Sequence, residues 1–261
     1  VEIAMRRFGR LSDSEIVTPA KVADEMVAIL PFDALNEKAD AKFLDIASKE
    51  GEFSVALYRR FGEKVKSRLY AIATSPLAYE FTRKVYTLLG MPVENIYADF
   101  TSFDLIGKEN QEIIKQLIDM KFDVVVGNPP YQANDGSGAS TDAAAPIYHK
   151  FVEQAQAIQA KYVDMIMPSK WMVGGRLELN SFRLSMQQDQ HLRIMVDCED
   201  AATFFPNLHI DGGICYFLWD KLYNGKIDYT FITNDGIINK NDTLVSHYSP
   251  YIIRDVRIIS I

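Results

Sequence analysis

The chain has 261 residues, 48% of them hydrophobic and 24% charged, with a formal net charge of −7. This is ordinary globular composition with enough apolar material for a large core. The acidic balance counts against nucleic acid as a partner of this chain alone, because nucleic-acid-binding domains are usually basic, and no apolar run approaches the length of a membrane span. The densest basic stretch, "RRFGEKVKSR" at 59–68, reads as a solvated helix end and turn. Clefts can still be locally basic on an acidic protein. Two cysteines, Cys198 and Cys215, are too few for a disulfide framework and lack zinc-ligand spacing, so they read as reduced, buried thiols of an intracellular, cytoplasmic protein. The histidines His149, His191, His209 and His247 are scattered and suggest no metal site. No signal peptide is visible. The chain starts at Val1 and closes on the apolar "YIIRDVRIISI", and it reads as a piece of a longer polypeptide.

Strands alternate with helices along the chain, the pattern of a parallel sheet covered on both faces. "TPAKVADEMVAILP" predicts a helix with Thr18 as N-cap, Pro19 at the first helical position and Val22, Met26 and Ile29 on one face. "AKFLDIA" at 41–47 predicts a short strand. The helix after it carries Phe53, Leu57 and Phe61 on one side and stops at Gly62. "SRLYAIA" at 67–73 is the next strand. Ser75 and Pro76 then open a helix with Leu77, Phe81, Val85 and Leu88 aligned, closed by Gly90. "ENIYAD" predicts a third strand, "ENQEIIKQLIDM" a helix with Ile113, Leu117 and Met120 together, and "FDVVVG" a fourth strand. The unbroken Val124–Val126 run suits burial on both faces. "QANDGSGASTDAAAP" reads as a mobile loop. A helix with Ile147, Phe151, Ala155 and Ile158 in register follows. Then come the strand "YVDMIMP", a helix over about 176–188, and the strands "LRIMVDC" and "GGICYFLWD". "KIDYTFIT" predicts a further strand leaving the first domain. Residues 1–225 are therefore expected to form one α/β domain, and 226–261 its tail or the start of a following recognition region.

In open α/β sheets, ligands bind beyond the carboxyl ends of the strands, where the strand order reverses. The first strand here ends in "LDIASKEGEF", with Gly51 placed for a close backbone approach. The third ends in "YADF", an acid and an aromatic ring suited to the amino group and face of an adenine. The fourth ends in "NPPY". Asn128 offers a side-chain carbonyl acceptor, and Pro129 a backbone carbonyl without a donor of its own. Two acceptors held rigidly side by side can grip both hydrogens of one planar NH₂ and favour a localised nitrogen lone pair. Tyr131 can stack on a flat ring beside them. No Ser–His or Cys–His arrangement argues for covalent catalysis.

With these motifs in place, the chain resembles the N6-adenine DNA methyltransferases of bacterial restriction–modification systems. "FLDIASKEGEF" is similar to that family's S-adenosylmethionine (SAM) loop, F-L-D-P-A-C-G-S-G-x-F. "TPAKVADEMV" resembles the Thr-Pro helix before it, and "NPPY" matches the catalytic motif. "PIYHKFVEQA", "VDMIMPSKWMVGG" and "ATFFPNLHIDGGICYFLW" are similar to later segments, so the resemblance runs from about residue 17 to 220. It implies a Rossmann-like SAM-dependent methyltransferase fold with a mostly parallel central sheet. It implies SAM as cofactor, held by Thr18, Pro19, Asp45, Ala47, Gly51, Asp99 and Phe100. Asn128, Pro129, Pro130 and Tyr131 would be catalytic. Tyr131 and Phe205, with Phe204 as the alternative, would stack on the target adenine. The adenine would be flipped out of double-stranded DNA, and methyl transfer would be an in-line displacement governed by positioning. No metal is implied. A restriction or specificity domain is implied in the parent chain, and without it DNA binding is expected to be weak and unselective.

Two departures from the family pattern, at three positions, stand out. Lys49 and Glu50 stand where Gly and Ser are usual, and Ala73 stands where many relatives carry an acid that grips the ribose hydroxyls. Loss of that charge-assisted hydrogen bond weakens cofactor binding by roughly ten- to a hundredfold. Lys49 is expected to compensate by meeting the SAM carboxylate. Two other readings compete: a degenerate, non-catalytic DNA-binding module of this fold, or an Asn-Pro-Pro-Tyr methyltransferase acting on RNA or on a release-factor glutamine.

Overall fold

The computed structural model describes residues 16–133, 145–174, 177–206, 208–242, 244 and 251–255. The expected helix start at 176 and most of the loop expected at 132–146 lie outside the described residues. The chain divides into two compact units, Val1–Met165 and Ile166–Ile261.

The first unit holds helices α1 (Ala20–Ala28), α2 (Phe32–Glu37), α3 (Glu52–Phe61), α4 (Pro76–Leu89), α5 (Gln111–Asp119) and α6 (Tyr148–Ala157). Its strands are β1 (Phe43–Ser48), β2 (Leu69–Ala73), β3 (Ile96–Tyr97), β4 (Val124–Gly127) and β5 (Tyr162–Pro168), the last of which runs on into the second unit. The strands lie in the order β3-β2-β1-β4-β5, and every pair is parallel. Parallel crossovers are right-handed, so connections running outwards in opposite directions from the centre lay their helices on opposite faces. The order reverses between β1 and β4. That is the switch point at which such sheets bind ligands, and it joins the end of "FLDIAS" to the end of "VVVG". Val124, Val125 and Val126 have no exposed surface, as expected for a central strand.

Local chemistry explains most of the ends. Gly62 and Gly90 terminate α3 and α4 in left-handed or extended positive-φ conformations, and the Ser75 hydroxyl accepts from the Ala78 N–H to start α4. Three details differ from the sequence expectation. Thr18 is not a side-chain cap of α1: Pro19 holds that position, and the Thr18 hydroxyl is engaged elsewhere. The buried face of α4 is Ala78, Thr82, Val85 and Tyr86, while Leu77 and Leu88 are 55% and 59% exposed. This face packs on the end of β1, where the Ser48 and Thr82 hydroxyls meet at 3.0 Å, and on α3, where the Ser54 hydroxyl meets Tyr86 OH at 2.8 Å. Residues Ser102–Ile106 form a 3₁₀ helix closed by a Thr101–Asp104 capping box, which apolar periodicity does not reveal.

The basic stretch 59–68 is absorbed by structure. Both Arg60 amino groups donate to the last carbonyls of the α1 region, Val27 and Leu30, and Arg68 donates to the carbonyls of Lys38 and Ala41. These arginines satisfy orphan carbonyls.

The second unit holds α7 (Lys170–Val173), α8 (Glu178–Gln188) and the strands β6 (Leu192–Cys198), β7 (Ile214–Asp220), β8 (Ile227–Thr233) and β9 (Gly236–Asp242). β6 pairs antiparallel with β7 and parallel with β8, and β8 forms a hairpin with β9. Residues 227–242 thus belong to the sheet of this unit. Asp197 sits at its centre without exposed surface. Its carboxylate accepts from Ser169 Oγ (2.6 Å), Tyr229 OH (2.6 Å), Arg254 Nε (2.6 Å) and Arg254 Nη2 (2.8 Å). Both cysteines are buried and free, and burial pushes the Cys215 thiol up to about 12. No helix among the described residues is long and apolar enough to cross a membrane.

Candidate active site

Asn128 follows β4 directly and is buried. Its Nδ2 donates to the Ile16 carbonyl at 3.0 Å and to Thr18 Oγ1 at 3.1 Å. These two acceptors use both amide hydrogens and so fix which end of the carboxamide points where. Its Oδ1 is left buried with no hydrogen-bond partner. Gly127, the last residue of β4, makes this close approach to β1 feasible: a Cβ there would stand 2.9 Å from Ile46 Cγ2. Pro129, Pro130 and Tyr131 are also buried. The chain beyond them is pinned by an Ile147 N–H to Tyr131 carbonyl bond at 3.1 Å and by a Gln132–Pro146 bridge.

The loop between β1 and α3 lies across the switch point from this motif. Asp45 is in register with Val126, and its Oδ1 accepts from the Ala47 N–H at 3.2 Å. Gly51 adopts φ 76°, ψ 22°, a left-handed conformation that disfavours any side chain, and its N–H donates to Ser48 Oγ at 3.1 Å. Glu52, in the first turn of α3, reaches back so that its Oε2 accepts from the N–H groups of Glu50 (3.0 Å) and Lys49 (3.3 Å). A carboxylate is favoured there by the helix N-terminus. The Lys49 ammonium does not stand out towards a cofactor carboxylate. It donates to the Ala47 carbonyl at 3.4 Å and to the backbone carbonyl of Asn128. Lys49 therefore ties the loop to the Asn-Pro-Pro-Tyr backbone.

Three carboxylate oxygens in and beside this loop are buried without a donor: Asp45 Oδ2 on β1, Glu50 Oε2 in the loop and Glu52 Oε1 at the start of α3. Burial, reinforced by the charge of Glu52, pushes the Asp45 carboxyl well above the usual range, against the pull of Lys49 and the Ala47 N–H. The same two causes raise Glu50 to about 7. Unpartnered buried acceptors are costly in a protein alone. They suit a ligand that brings positive charge and hydroxyl donors, which is the donor set of SAM.

The other expected cofactor residues fall at the same end of the sheet. Asp99 is exposed just past β3, and Phe100 is half-buried with its ring 5.0 Å from that of Tyr97. Phe205 belongs to the second unit, where it is buried, and neighbouring Phe204 packs on Tyr216 with centroids 5.7 Å apart. The structure thus brings Thr18, Asp45, Ala47, Gly51 and Asn128 together around β1 and β4. Sequence reasoning missed the Ile16 carbonyl, the reach of Lys49 to Asn128 and the bracing role of Glu52. Only the last had a sequence signal, an acid in a first helical turn.

A parallel sheet ordered 3-2-1-4-5, a glycine loop after β1 and an amide acceptor after β4 define the class: a Rossmann-like methyltransferase fold. The chain belongs to the Eco57I restriction-modification methylase family, whose model matches residues 67–205, just over half of it. It is 39% identical over 107 residues to an uncharacterized adenine-specific methylase of Mycoplasma pneumoniae, an alignment covering 41% of this chain and 25% of that protein. Among solved structures it is similar to the methyltransferase subunit of a type I restriction-modification system from Streptococcus thermophilus. That match has TM-score 0.63 and 18% identity, and covers 95% of this chain and 54% of the other. The DrdV–DNA complex matches with TM-score 0.61 and 14% identity, over 86% of this chain and 30% of that one. At such identities the structural likeness speaks for the fold. The chain spans about a quarter of the curated relative and about half of the first structural neighbour.

Proposed function

We propose that this chain is the catalytic part of a SAM-dependent DNA methyltransferase that transfers a methyl group to the N6 amino group of adenine within a restriction–modification system. The observation that carries the reading is the Asn128 carboxamide. Both of its hydrogens are spent on Ile16 and Thr18, and its Oδ1 is held free of protein donors. An acceptor fixed in this way, next to the donorless carbonyl of Pro129, is preorganised for an NH₂ group.

Asp45, Ala47 and Gly51, with Thr18 and Pro19, would hold SAM at the end of β1, and Asp99 and Phe100 would take its adenine. When bound, SAM supplies the electrophilic methyl group. Asn128 and Pro129 would grip the target N6 and favour its lone pair, and Pro130 keeps the turn rigid. Tyr131 would stack on the target ring. The adenine must leave the helix to reach such a site. Double-stranded DNA is the expected partner. Binding by this chain is weak and unselective, and sequence choice is left to a specificity or restriction region of the parent protein. Family membership and the DNA-bound neighbour support this reading.

The test is mass spectrometry of duplex DNA incubated with SAM and the protein, with RNA and a release factor as parallel substrates. N6-methyladenine in DNA is expected, together with its loss in Asn128→Ala while S-adenosylhomocysteine binding persists. A product on glutamine or RNA alone, or undiminished product in Asn128→Ala, overturns the reading.

A further inference from the structure

We infer that Glu50 grips the ribose diol of the cofactor, taking over from the acid that the end of β2 lacks. The inference rests on reading the loop after β1 as a SAM site. Ala73, the last residue of β2, is buried and has no hydrogen-bonding side chain. The loop lies directly beside it: Ala73 is in register with Ser48, and the Thr74 N–H donates to the Ser48 carbonyl at 3.0 Å. A carboxylate lost from the strand end can therefore be supplied from the loop.

Glu50 has the properties of that carboxylate. It is 3% exposed, yet its Oε2 has no donor. Its backbone is already fixed by Glu52, so the side chain is not needed to shape the turn. The charged neighbours along the loop are Asp45, Lys49 and Glu52. Lys49 is directed to the carbonyls of Ala47 and Asn128, and Glu52 repels the Glu50 carboxylate rather than pairing with it. A vicinal diol presents two donors and a carboxylate two acceptors, so the groups match in number and in polarity. Charge-assisted hydrogen bonds of this kind change affinity by roughly ten- to a hundredfold. Thr74 is the rival position, because its hydroxyl is also buried without a partner. It offers one neutral oxygen where the diol presents two donors.

The experiment is calorimetric titration of the full chain with S-adenosylhomocysteine and with its 2′-deoxyribose analogue, at pH 8. Wild-type protein is expected to prefer the ribose ligand by tenfold or more. Glu50→Gln, nearly isosteric, should weaken only the ribose ligand and erase the preference. Adding Ala73→Asp to Glu50→Gln should restore it. If Glu50→Gln binds both ligands and keeps the preference, or if Thr74→Val erases it instead, the inference falls and the site reading stands. If neither ligand binds wild-type protein, the site reading falls and takes the inference with it.

Discussion

The hydroxyl of Thr18 accepts a hydrogen bond from Asn128 Nδ2 at 3.1 Å, across 110 residues of sequence. A residue two positions before the first described helix thereby orients the amide that follows the fourth strand. Replacing Thr18 by Val keeps the shape and removes the acceptor, so a buried N–H loses its partner. The expected cost is about 1–3 kcal/mol of stability. A methyl-transfer rate roughly tenfold lower follows if the carboxamide loosens, because an error of this size in positioning is worth about a decade. Thermal denaturation and single-turnover kinetics check both, and Thr18→Ser should retain most of each.

Gly51 carries the tight turn between β1 and α3 at φ 76°. Gly51→Ala forces a side chain into left-handed backbone, at a cost of roughly 1–2 kcal/mol. Its Cβ would also stand 3.4 Å from Val85 Cγ1, with little slack. Urea denaturation should show a lower midpoint with an unchanged slope. Calorimetry should show weaker S-adenosylhomocysteine binding.

Asp164 lies on β5 in register with Val126, with no exposed surface and neither oxygen hydrogen-bonded. Burial raises its carboxyl well above the usual range, and the distant charge of Arg60 only partly offsets this. A carboxyl raised in the folded state favours folding most below its unfolded pKa, and that contribution is lost as pH rises through the folded value. Asp164→Asn removes the liability. The variant is expected to melt higher than wild type at pH 8, by about 2–4 °C for each kcal/mol of relief. The gap should narrow as pH falls towards 5, and differential scanning calorimetry across that range checks the sign.

Asp197 and Arg254 form a doubly hydrogen-bonded pair inside the second unit, with Arg254 Nη1 also donating to the Gly212 carbonyl at 2.8 Å. Arg254→Ala strands a buried carboxylate and should cost about 3–5 kcal/mol. Arg254→Lys keeps the charge but loses the planar fork, so it should recover only part of the loss. Chemical denaturation of both variants tests this.

Much of the chain could be read residue by residue. β5 and β6 match the stretches "YVDMIMP" and "LRIMVDC" to their ends. The Val124–Val126 run, the stops at Gly62 and Gly90 and the Ser75 cap were also legible. Each rests on chemistry within a few residues: apolar runs, a positive φ, a hydroxyl near an N–H. The Asn-Pro-Pro-Tyr motif was legible for the same reason, since its residues are adjacent in the chain.

Long-range competition settled the rest. Thr18 looks like an N-cap until Asn128 claims its hydroxyl. Leu77 and Leu88 keep helical spacing with Val85, yet α4 rotates Thr82 and Val85 inward against Ser48 and Gly51, and the two leucines stay in water. Lys49 is nominally a cofactor-loop cation, but the parallel pairing of β1 with β4 sets it against the carbonyl of Asn128. Local propensity cannot anticipate these outcomes, because each depends on which strand lies beside which. The amino-acid order supplied the reactive groups and the strand ends that carry them. Their orientations came from the pairing of β1 with β4, which brings a loop and a motif about eighty residues apart to one edge of the sheet, where their hydrogen bonds have few other partners to choose from.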